Sequence, residues 1–347
     1  MLITIIICGE TMLRRIFSIE DEYRHLLINL LGFQLRLSRY GYKKKNIPDK
    51  LNNIKILNTE EGNACIYSTL NIDKPCLITK FGSVELTTAS CYLDYRKDFN
   101  TCIFPPKIIR DMRYQAGFFS ANNNQILKFS QDVIQIIKNT DVLGVYAYAH
   151  KRDPSEEIVL KAAQKEDIKL VPLSIMGDKL LRMHNPWTRA LEGKNVLVIH
   201  PFAESIEKQY PKRNLIFKNN KVLPDFNLIT LKAVQGINTD EATKQYGTWY
   251  NALEKMQNQI NKINFDIALI GAGAFGMFLA NHIKNIGKKA VHIGGSLQVL
   301  FGITGERWEL YPWFKDIVNE HWVRPSDNER VKNLTEFVKG ERNEAYW

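Results

Sequence analysis

The sequence is poor in cysteine, and its five cysteines stand apart from one another. They are Cys8, Cys65, Cys76, Cys91 and Cys102. Their odd number argues against a framework of disulfides, and the lack of CxxC spacing argues against a zinc site. We therefore expect a protein of a reducing compartment, the cytoplasm.

A long apolar run is also missing. Residues 1–8 are apolar, but they fall far short of the roughly 20 residues that a spanning helix needs. They also lack a basic lead-in and a small-residue cleavage site. The pattern predicts neither a signal peptide nor a membrane-spanning helix, and no internal repeat or low-complexity segment competes with a globular fold.

The stretch from residue 265 to 295 organises the chain. Its pattern predicts a buried strand over 266–270, a helix over 274–286 with one apolar face, and a second buried strand over 290–293. Gly294 and Gly295 follow the second strand at its carboxyl end, where open α/β sheets bind their ligands. This is the pattern of a βαβ unit with a ligand-facing edge.

A GxGxxG motif, made of Gly271, Gly273 and Gly276, lies between the first strand and the helix. Two interpretations stand side by side: the helix start binds a phosphate, or the glycines let helix and strand pack closely. Residues 290–296 contain no carboxylate to bind a ribose, and the unit lies late in the chain. We therefore expect no NAD.

Strands and helices alternate along most of the sequence. Further strands are predicted over 76–81, 141–148, 170–173, 195–200 and 228–234, and helices over 86–95, 122–138, 155–165 and 243–263. The alternation predicts an α/β fold, with a Rossmann-like, mostly parallel sheet and helices on both faces. We expect an N-terminal helical, basic segment and linker over 1–60, with the helix over 11–45 and the linker over 45–61, and the α/β domain over 64–347.

The net charge of +10 indicates an anionic partner, which can be a nucleic acid, a membrane surface or a phosphorylated substrate. The predicted N-terminal helix ends in a basic run: Arg36, Arg39, Lys43, Lys44 and Lys45. Such a run can lie on an anionic membrane surface, or it can be the solvated end of a helix that covers the main domain.

Three features carry candidate chemistry. Glu85 follows a predicted strand and can reach a metal or a sugar hydroxyl, or simply suit the start of a helix. His200 closes another strand and can act as a general base or hydrogen-bond a diphosphate, or be a satisfied core residue. Lys208, Lys212 and Arg213 form a compact cationic cluster that either binds phosphate or is solvated.

The segment Lys80-Phe81-Gly82-Ser83-Val84-Glu85 resembles the Arg-Phe-Gly-Asp-x-Glu signature of bacterial glycosyltransferases of the GT-D fold. The stretch IALIGAG…GKKAVHIGG is similar to that family's C-terminal strand, helix and small-residue turn. PWTRALEGKNVLVIHPF, QYPKR and HIGGSLQVLFGITGERW resemble GT-D-like proteins of bacterial surface polysaccharide (capsule or O-antigen) synthesis. The resemblance covers about residues 64–347.

This resemblance implies transfer of a sugar from a nucleotide-diphosphate donor to a glycan acceptor on a lipid carrier, at the inner face of the membrane. No nucleic-acid partner is expected. The expected catalytic residues are Glu85 and His200, and Lys208, Lys212 and Arg213 are expected to contact phosphate or acceptor. The donor-binding residues expected are Lys80, Gly82, Ser83, Gly271, Gly273, His292, Gly294 and Gly295.

The resemblance also implies Mn²⁺ or Mg²⁺ bound through Glu85. Ser83 replaces the family's first acidic residue, however, and a hydroxyl is a much weaker ligand, which leaves metal dependence open. Lys80 replaces the family's arginine and keeps its charge. Two alternatives remain, a Rossmann-type oxidoreductase or epimerase and a non-catalytic nucleotide-sugar binding protein.

Because parallel strands end at one edge, we expect Glu85, His200 and the glycine turns to converge.

Overall fold

The computed structural model describes residues 17–22, 25–30, 33–38, 49–98, 103–146, 154–237, 240–330 and 346. The chain divides into two compact units, Met1–Ile47 and Pro48–Trp347. Each unit is described by itself below.

The first unit contains an antiparallel three-stranded sheet rather than a helix. Its strands are β1 (Phe17–Glu22), β2 (His25–Leu30) and β3 (Phe33–Ser38), paired in sequence order. The predicted helix over 11–45 is therefore wrong for these residues. Residues 26, 28, 30, 33, 35 and 37 are apolar, which is the period of a strand. The remaining residues of the predicted helix, including Arg39 and Lys43–Lys45, lie outside the described residues.

The second unit begins with structure where we predicted a linker. A hairpin pairs β4 (Lys50–Leu51) with β5 (Ile54–Lys55), and α1 (Thr59–Asn71) follows. The Asn58 side chain accepts the Glu61 N–H at 2.9 Å, and the Glu61 carboxylate accepts the Asn58 N–H at 2.9 Å. This capping box fixes the start of α1, so the asparagines that suggested a linker are turn and cap residues.

Seven strands of the second unit form one fully parallel sheet. Their bounds are β6 (Cys76–Lys80), β7 (Val142–Val145), β8 (Lys169–Pro172), β9 (Asn195–His200), β10 (Asn227–Lys232), β11 (Ile267–Ile270) and β12 (Lys289–His292). The spatial order is β10-β9-β11-β12-β6-β7-β8. The predicted α/β fold with a parallel sheet is confirmed. Residues 147 and 148 of the strand predicted over 141–148 lie outside the described residues.

Helices cover both faces of this sheet. The longer ones are α2 (Ser83–Asp98), α3 (Pro106–Tyr114), α4 (Asn123–Asn139), α5 (Ser155–Ala163), α6 (Ala203–Gln209), α8 (Glu241–Tyr246), α9 (Trp249–Ile260) and α10 (Phe275–Asn285). Four short helices are α7 (Arg213–Ile216), α11 (Leu297–Leu300), α12 (Glu306–Glu309) and α13 (Pro312–Lys315). Single 3₁₀ turns complete the connections.

The single helix predicted over 243–263 is wrong, because the chain breaks between α8 and α9. Gly247 takes a left-handed φ of +74°, which ends α8. The Thr248 side chain then accepts the Asn251 N–H at 3.2 Å and caps the start of α9. A glycine followed by a threonine is a stop and start signal that the apolar spacing had concealed.

Successive residues of each strand enter two separate cores. Leu77, Leu143, Leu197, Ala268 and Ala290 face α2, α4, α5, α9 and α10, whereas Ile78, Val142, Val198, Leu269 and Val291 face α1, α6 and the C-terminal segment. Trp308 and Trp322 are buried in the second core, so they anchor the C-terminal segment.

An aromatic cluster ties α9 to α10 and α4. The Trp249 ring is fully buried and stacks on Phe275, with ring centroids 4.5 Å apart. Phe118, Phe129 and Phe278 contact the same indole.

We expect Trp249→Ala to lower the free energy of unfolding by about 3–5 kcal/mol, because the cavity left in this cluster cannot collapse fully. Urea unfolding followed by circular dichroism measures it. Trp313→Ala, at a half-buried tryptophan, is the matched control with a smaller loss. Equal losses for the two variants would contradict the central place of the cluster.

Candidate active site

The carboxyl ends of β6, β9 and β12 lie at one edge of the parallel sheet. Lys80 ends β6, His200 ends β9 and His292 ends β12. A Cβ atom added at Gly294 would lie 2.7 Å from Lys80 Cε, and one added at Gly271 would lie 2.7 Å from His200 Cδ2. The structure thus brings together the strand-end residues that the sequence placed there.

A crevice opens between β6 and β12. Leu86 and Ala89 of α2, which follows β6, belong to the core on one face of the sheet. Leu297 and Leu300 of α11, which follows β12, belong to the core on the other face. The two connections leave the sheet in opposite directions, and parallel α/β sheets bind ligands at such a switch point.

Glu85 lies in the first turn of α2 and faces this crevice. Its carboxylate folds back over Gly82, where an added Cβ would overlap it. The walls around it include Lys80 and His292 but also apolar Phe129 and Met277. Burial raises the pKa of Glu85, and the positive charge of Lys80 partly opposes this shift. A carboxylate so placed can also cap the helix start, which is the structural alternative to a catalytic role.

Lys80 is the cation of the crevice. Burial lowers the pKa of its ammonium group, Glu85 opposes the shift, and the charge of Arg307 adds to it. Within the described part of the chain, Lys80 forms no salt bridge. Its ammonium group lies directly beside Gly294, where any side chain would displace it.

His292 lines the crevice at the end of β12. Its ring is buried, its Nδ1 lies 3.0 Å from Thr79 Oγ1, and a Cβ at Gly276 would overlap the ring. Burial, reinforced by Lys80, holds the pKa of His292 well below its usual range. The third glycine of the motif therefore makes room for a histidine ring between α10 and β12.

His200 has the geometry of a hydrogen-bond donor rather than a base. The Phe202 N–H donates to His200 Nδ1 at 3.0 Å, so a neutral ring carries its proton on Nε2. Burial lowers the pKa of His200 to about 3. With one nitrogen occupied and the other protonated, the ring does not fit the general-base role that we had considered.

The GxGxxG turn is closed by the protein itself. The Ala274 N–H donates to the Ala116 carbonyl at 3.1 Å, and the Phe275 and Gly276 N–H groups donate to Ala272 and Gly273. Gly273 has a left-handed φ of +53°. Because these three N–H groups are engaged, the geometry favours close packing over phosphate binding at this turn.

The cationic cluster lies away from the crevice. Arg213 donates to Asp225 at 2.7 Å, and Asp225 precedes the amino end of β10. Lys212 is the exposed neighbour of Arg213, and Lys208 is exposed in the last turn of α6. Since α6 leads from the carboxyl edge of β9 toward the opposite edge, the structure does not bring Lys212 and Arg213 to the candidate site.

Sequence reasoning missed Arg307 and Tyr346. Arg307 Nη1 donates to the Tyr346 hydroxyl at 3.0 Å, and the Tyr346 ring packs on Gly295. Gln298 Nε2 donates to the Tyr346 carbonyl at 3.1 Å. Arg307 belongs to the quoted GITGERW motif, but nothing in its spacing indicates that α12 returns to the crevice.

The side chains of the crevice do not fit a divalent cation well. Mg²⁺ and Mn²⁺ prefer several oxygen ligands, and Glu85 is the single carboxylate that lines the crevice in the described part of the chain. The Lys80 ammonium group lies in the same surroundings as the Glu85 carboxylate, and Ser83 is exposed. Among the described residues, no three His, Cys, Asp or Glu side chains are grouped to hold a metal ion.

Fold and crevice together define a Rossmann-like α/β protein with a candidate site at the carboxyl edge of its sheet. Residues 57–300 match the family model described as GT-D fold-like domain, and the chain belongs to this family.

A solved structure titled as a selenomethionine-substituted domain of unknown function 1792 is similar to the chain at 12% identity, with a TM-score of 0.42, covering 79% of this chain and 96% of that one. No curated protein matches. In the described residues, no helix is both long and apolar enough to cross a bilayer.

We expect stability to fall as the pH drops from about 6.5 toward 3, because the unfolded chain accepts a proton at His200 that the folded chain refuses. Above about pH 6.5, His200 is neutral in both the folded and the unfolded chain, so it causes no loss of stability there. His200→Asn keeps a side-chain acceptor for the Phe202 N–H but cannot titrate, so its urea midpoint should depend less on pH. His184→Asn, at an exposed histidine, is the control. Equal pH dependence in the wild type and His200→Asn would contradict this account.

Proposed function

We propose that this protein is a glycosyltransferase that moves a sugar from a nucleotide-diphosphate donor to a glycan acceptor. The observation that supports it is that Lys80 and Glu85 line the same crevice at the ends of β6 and β12, within the region that matches the family. These residues stand at positions of the Arg-Phe-Gly-Asp-x-Glu signature that the sequence resembles. In this arrangement cation and carboxylate face the same ligand.

Different residues of the crevice can perform different parts of the transfer. Lys80 attracts the diphosphate, and the small turn at Gly294 and Gly295 lets a ligand approach the backbone. Glu85 can orient a sugar hydroxyl or exchange a proton with the acceptor, since its raised pKa brings it closer to neutral pH. His200 can donate a hydrogen bond from Nε2. Gly271, Gly273 and His292 hold the turns in place.

The acceptor and the setting follow from resemblance. A bacterial surface glycan of the capsule or O-antigen type, assembled on a lipid carrier at the inner face of the membrane, is the acceptor class that we propose. Peripheral contact with an anionic membrane would raise the local concentration of such an acceptor. Because residues 17–38 contain strands, the amphipathic helix predicted there no longer supports membrane contact. The proposed contact therefore rests on the basic run alone.

A non-catalytic nucleotide-sugar binding protein is the second candidate. Its support is the Glu85 carboxylate, which turns back over Gly82 as a helix-capping group does. An oxidoreductase or epimerase finds less support, because the N–H groups of Ala274 to Gly276 are engaged and no carboxylate follows β12. Mass spectrometry of small molecules retained by gently purified protein separates nucleotide sugar from NAD(P).

We expect Glu85→Gln to lower turnover by about 10²-fold or more, because the amide keeps the shape but loses the charge and the proton exchange. Release of nucleotide from the donor identified by mass spectrometry measures it. Glu306→Gln, at an exposed carboxylate near Arg307, is the matched control. Wild-type turnover in a folded Glu85→Gln protein would remove the catalytic role, and donor binding without turnover in the wild type would favour the binding protein.

We expect the protein to sediment with anionic but not with neutral vesicles at low salt, because each cation near an anionic surface contributes about 1 kcal/mol. Salt should release it by screening. Exchange of Lys43, Lys44 and Lys45 for Gln should weaken the attachment, and exchange of the exposed Lys212 and Lys208 should not. A full-length protein that ignores anionic vesicles would exclude this attachment.

A further inference from the structure

Arg307 of α12 contacts Tyr346, which packs on the glycine turn that follows β12. We propose that Arg307 and Lys80 together bind the diphosphate of the donor and supply the positive charge that the family resemblance assigns to a divalent cation. This inference rests on the proposed function and adds to it the residues that hold the leaving group.

A continuous series of contacts connects the two cations. The Lys80 ammonium group lies against Gly294, where an added Cβ would be 2.9 Å from Nζ. The next residue, Gly295, packs against the Tyr346 ring, and the Tyr346 hydroxyl accepts a hydrogen bond from Arg307. Lys80 therefore borders the glycine turn directly, and Arg307 is connected to the same turn through Tyr346. The pair is close enough that Arg307 disfavours the charged form of Lys80 and lowers its pKa.

Arg307 also differs from the arginines around it in having no carboxylate partner. Arg324 pairs with Glu309 at 2.7 Å, and Arg182 pairs with Asp178 at 3.0 Å. Among the described residues, Arg307 forms no such salt bridge, and its hydrogen-bond partner is the neutral Tyr346 hydroxyl. A guanidinium group held in place by a neutral acceptor keeps its charge available for an anion.

Hydroxyl groups surround the same space. The Tyr146 hydroxyl donates to the Phe81 carbonyl at 3.2 Å at the end of β6, and the Tyr346 hydroxyl accepts a hydrogen bond from Arg307 at 3.0 Å. The Lys80 ammonium group and the Arg307 guanidinium group provide N–H donors to the non-bridging oxygens of a diphosphate. A single carboxylate beside an ammonium group, in contrast, is a poor donor set for a divalent cation.

The chemistry of transfer needs positive charge at this place. The acceptor hydroxyl oxygen forms a bond to the anomeric carbon, and the bond from that carbon to the diphosphate oxygen breaks. The electron pair of the broken bond stays on the diphosphate, and the acceptor proton passes to a base, for which Glu85 is the carboxylate in the crevice. Lys80 and Arg307 stabilise the negative charge that develops on the leaving group.

Calorimetric titration of the full-length protein with inorganic pyrophosphate in excess EDTA tests the inference. We expect binding without metal, weakened about 10- to 100-fold in Arg307→Gln and in Lys80→Gln, since each variant loses a charged hydrogen-bond donor. Arg307→Lys should recover part of the loss. Arg324→Gln is the matched control, because it removes an arginine from the same segment that is already paired with a carboxylate.

Tyr346→Phe distinguishes the effect of the Arg307 charge from the effect of the contact between Arg307 and Tyr346. It removes the hydroxyl that accepts from Arg307 but leaves the guanidinium charge, so pyrophosphate binding should persist. Weakening in Tyr346→Phe as large as in Arg307→Gln would mean that the contact is structural and would overturn the inference.

Binding that requires Mg²⁺ or Mn²⁺, or binding that is equally strong in Arg307→Gln and Arg324→Gln, would also overturn the inference. If pyrophosphate binding depends on Arg307 but the protein turns over no nucleotide sugar, the result would support the anion site and contradict the transferase activity. Sugar transfer that is insensitive to Arg307→Gln would keep the transferase and remove the anion site.

Discussion

The parallel pairing of seven strands is the constraint on which the rest of the molecule depends. Because every strand runs the same way, Lys80, His200 and His292 emerge at one edge although they are more than 90 residues apart along the chain. The connections after β6 and β12 then leave toward opposite faces, which opens the crevice beside them. A change of register in β12 would move His292 and Gly294 together and dismantle the site.

Low polarity at the bottom of the crevice sets the state of its charges. Apolar Phe129 and Met277 raise the cost of ionising Glu85, and burial also disfavours the charged form of Lys80. Each charge supports the other, so removing one leaves its partner in an unfavourable environment. The positive charge of Arg307 on α12 further disfavours the charged form of Lys80 and lowers its pKa. Such a balance suits an anionic ligand that enters with its own negative charge.

The same edge shows how packing can produce a motif that looks like a ligand site. Gly271 makes room for His200 and the Gly294 carbonyl, and Gly276 makes room for His292. The N–H groups at the start of α10 are bound to carbonyls of the protein. These glycines bring two histidine-bearing strands close to neighbouring elements, and the turn that we propose to face the ligand lies one strand further, at Gly294 and Gly295.

The sequence by itself determined the α/β class, most strand positions and the edge at which Lys80, Glu85 and Gly294 lie. Apolar periodicity is a local signal, and the alternation of strands and helices indicates a parallel sheet whose strands end at one edge. It did not predict the strands in residues 17–38 or the break at Gly247, where leucine-rich alternation and a cap were taken for helix. Only the tertiary structure decided that Arg213 pairs with Asp225 at the opposite edge and that Arg307 contacts Tyr346 beside the Gly294-Gly295 turn. The reason is physical: neither position follows from spacing along one element, since each depends on where a short helix packs after the sheet has formed.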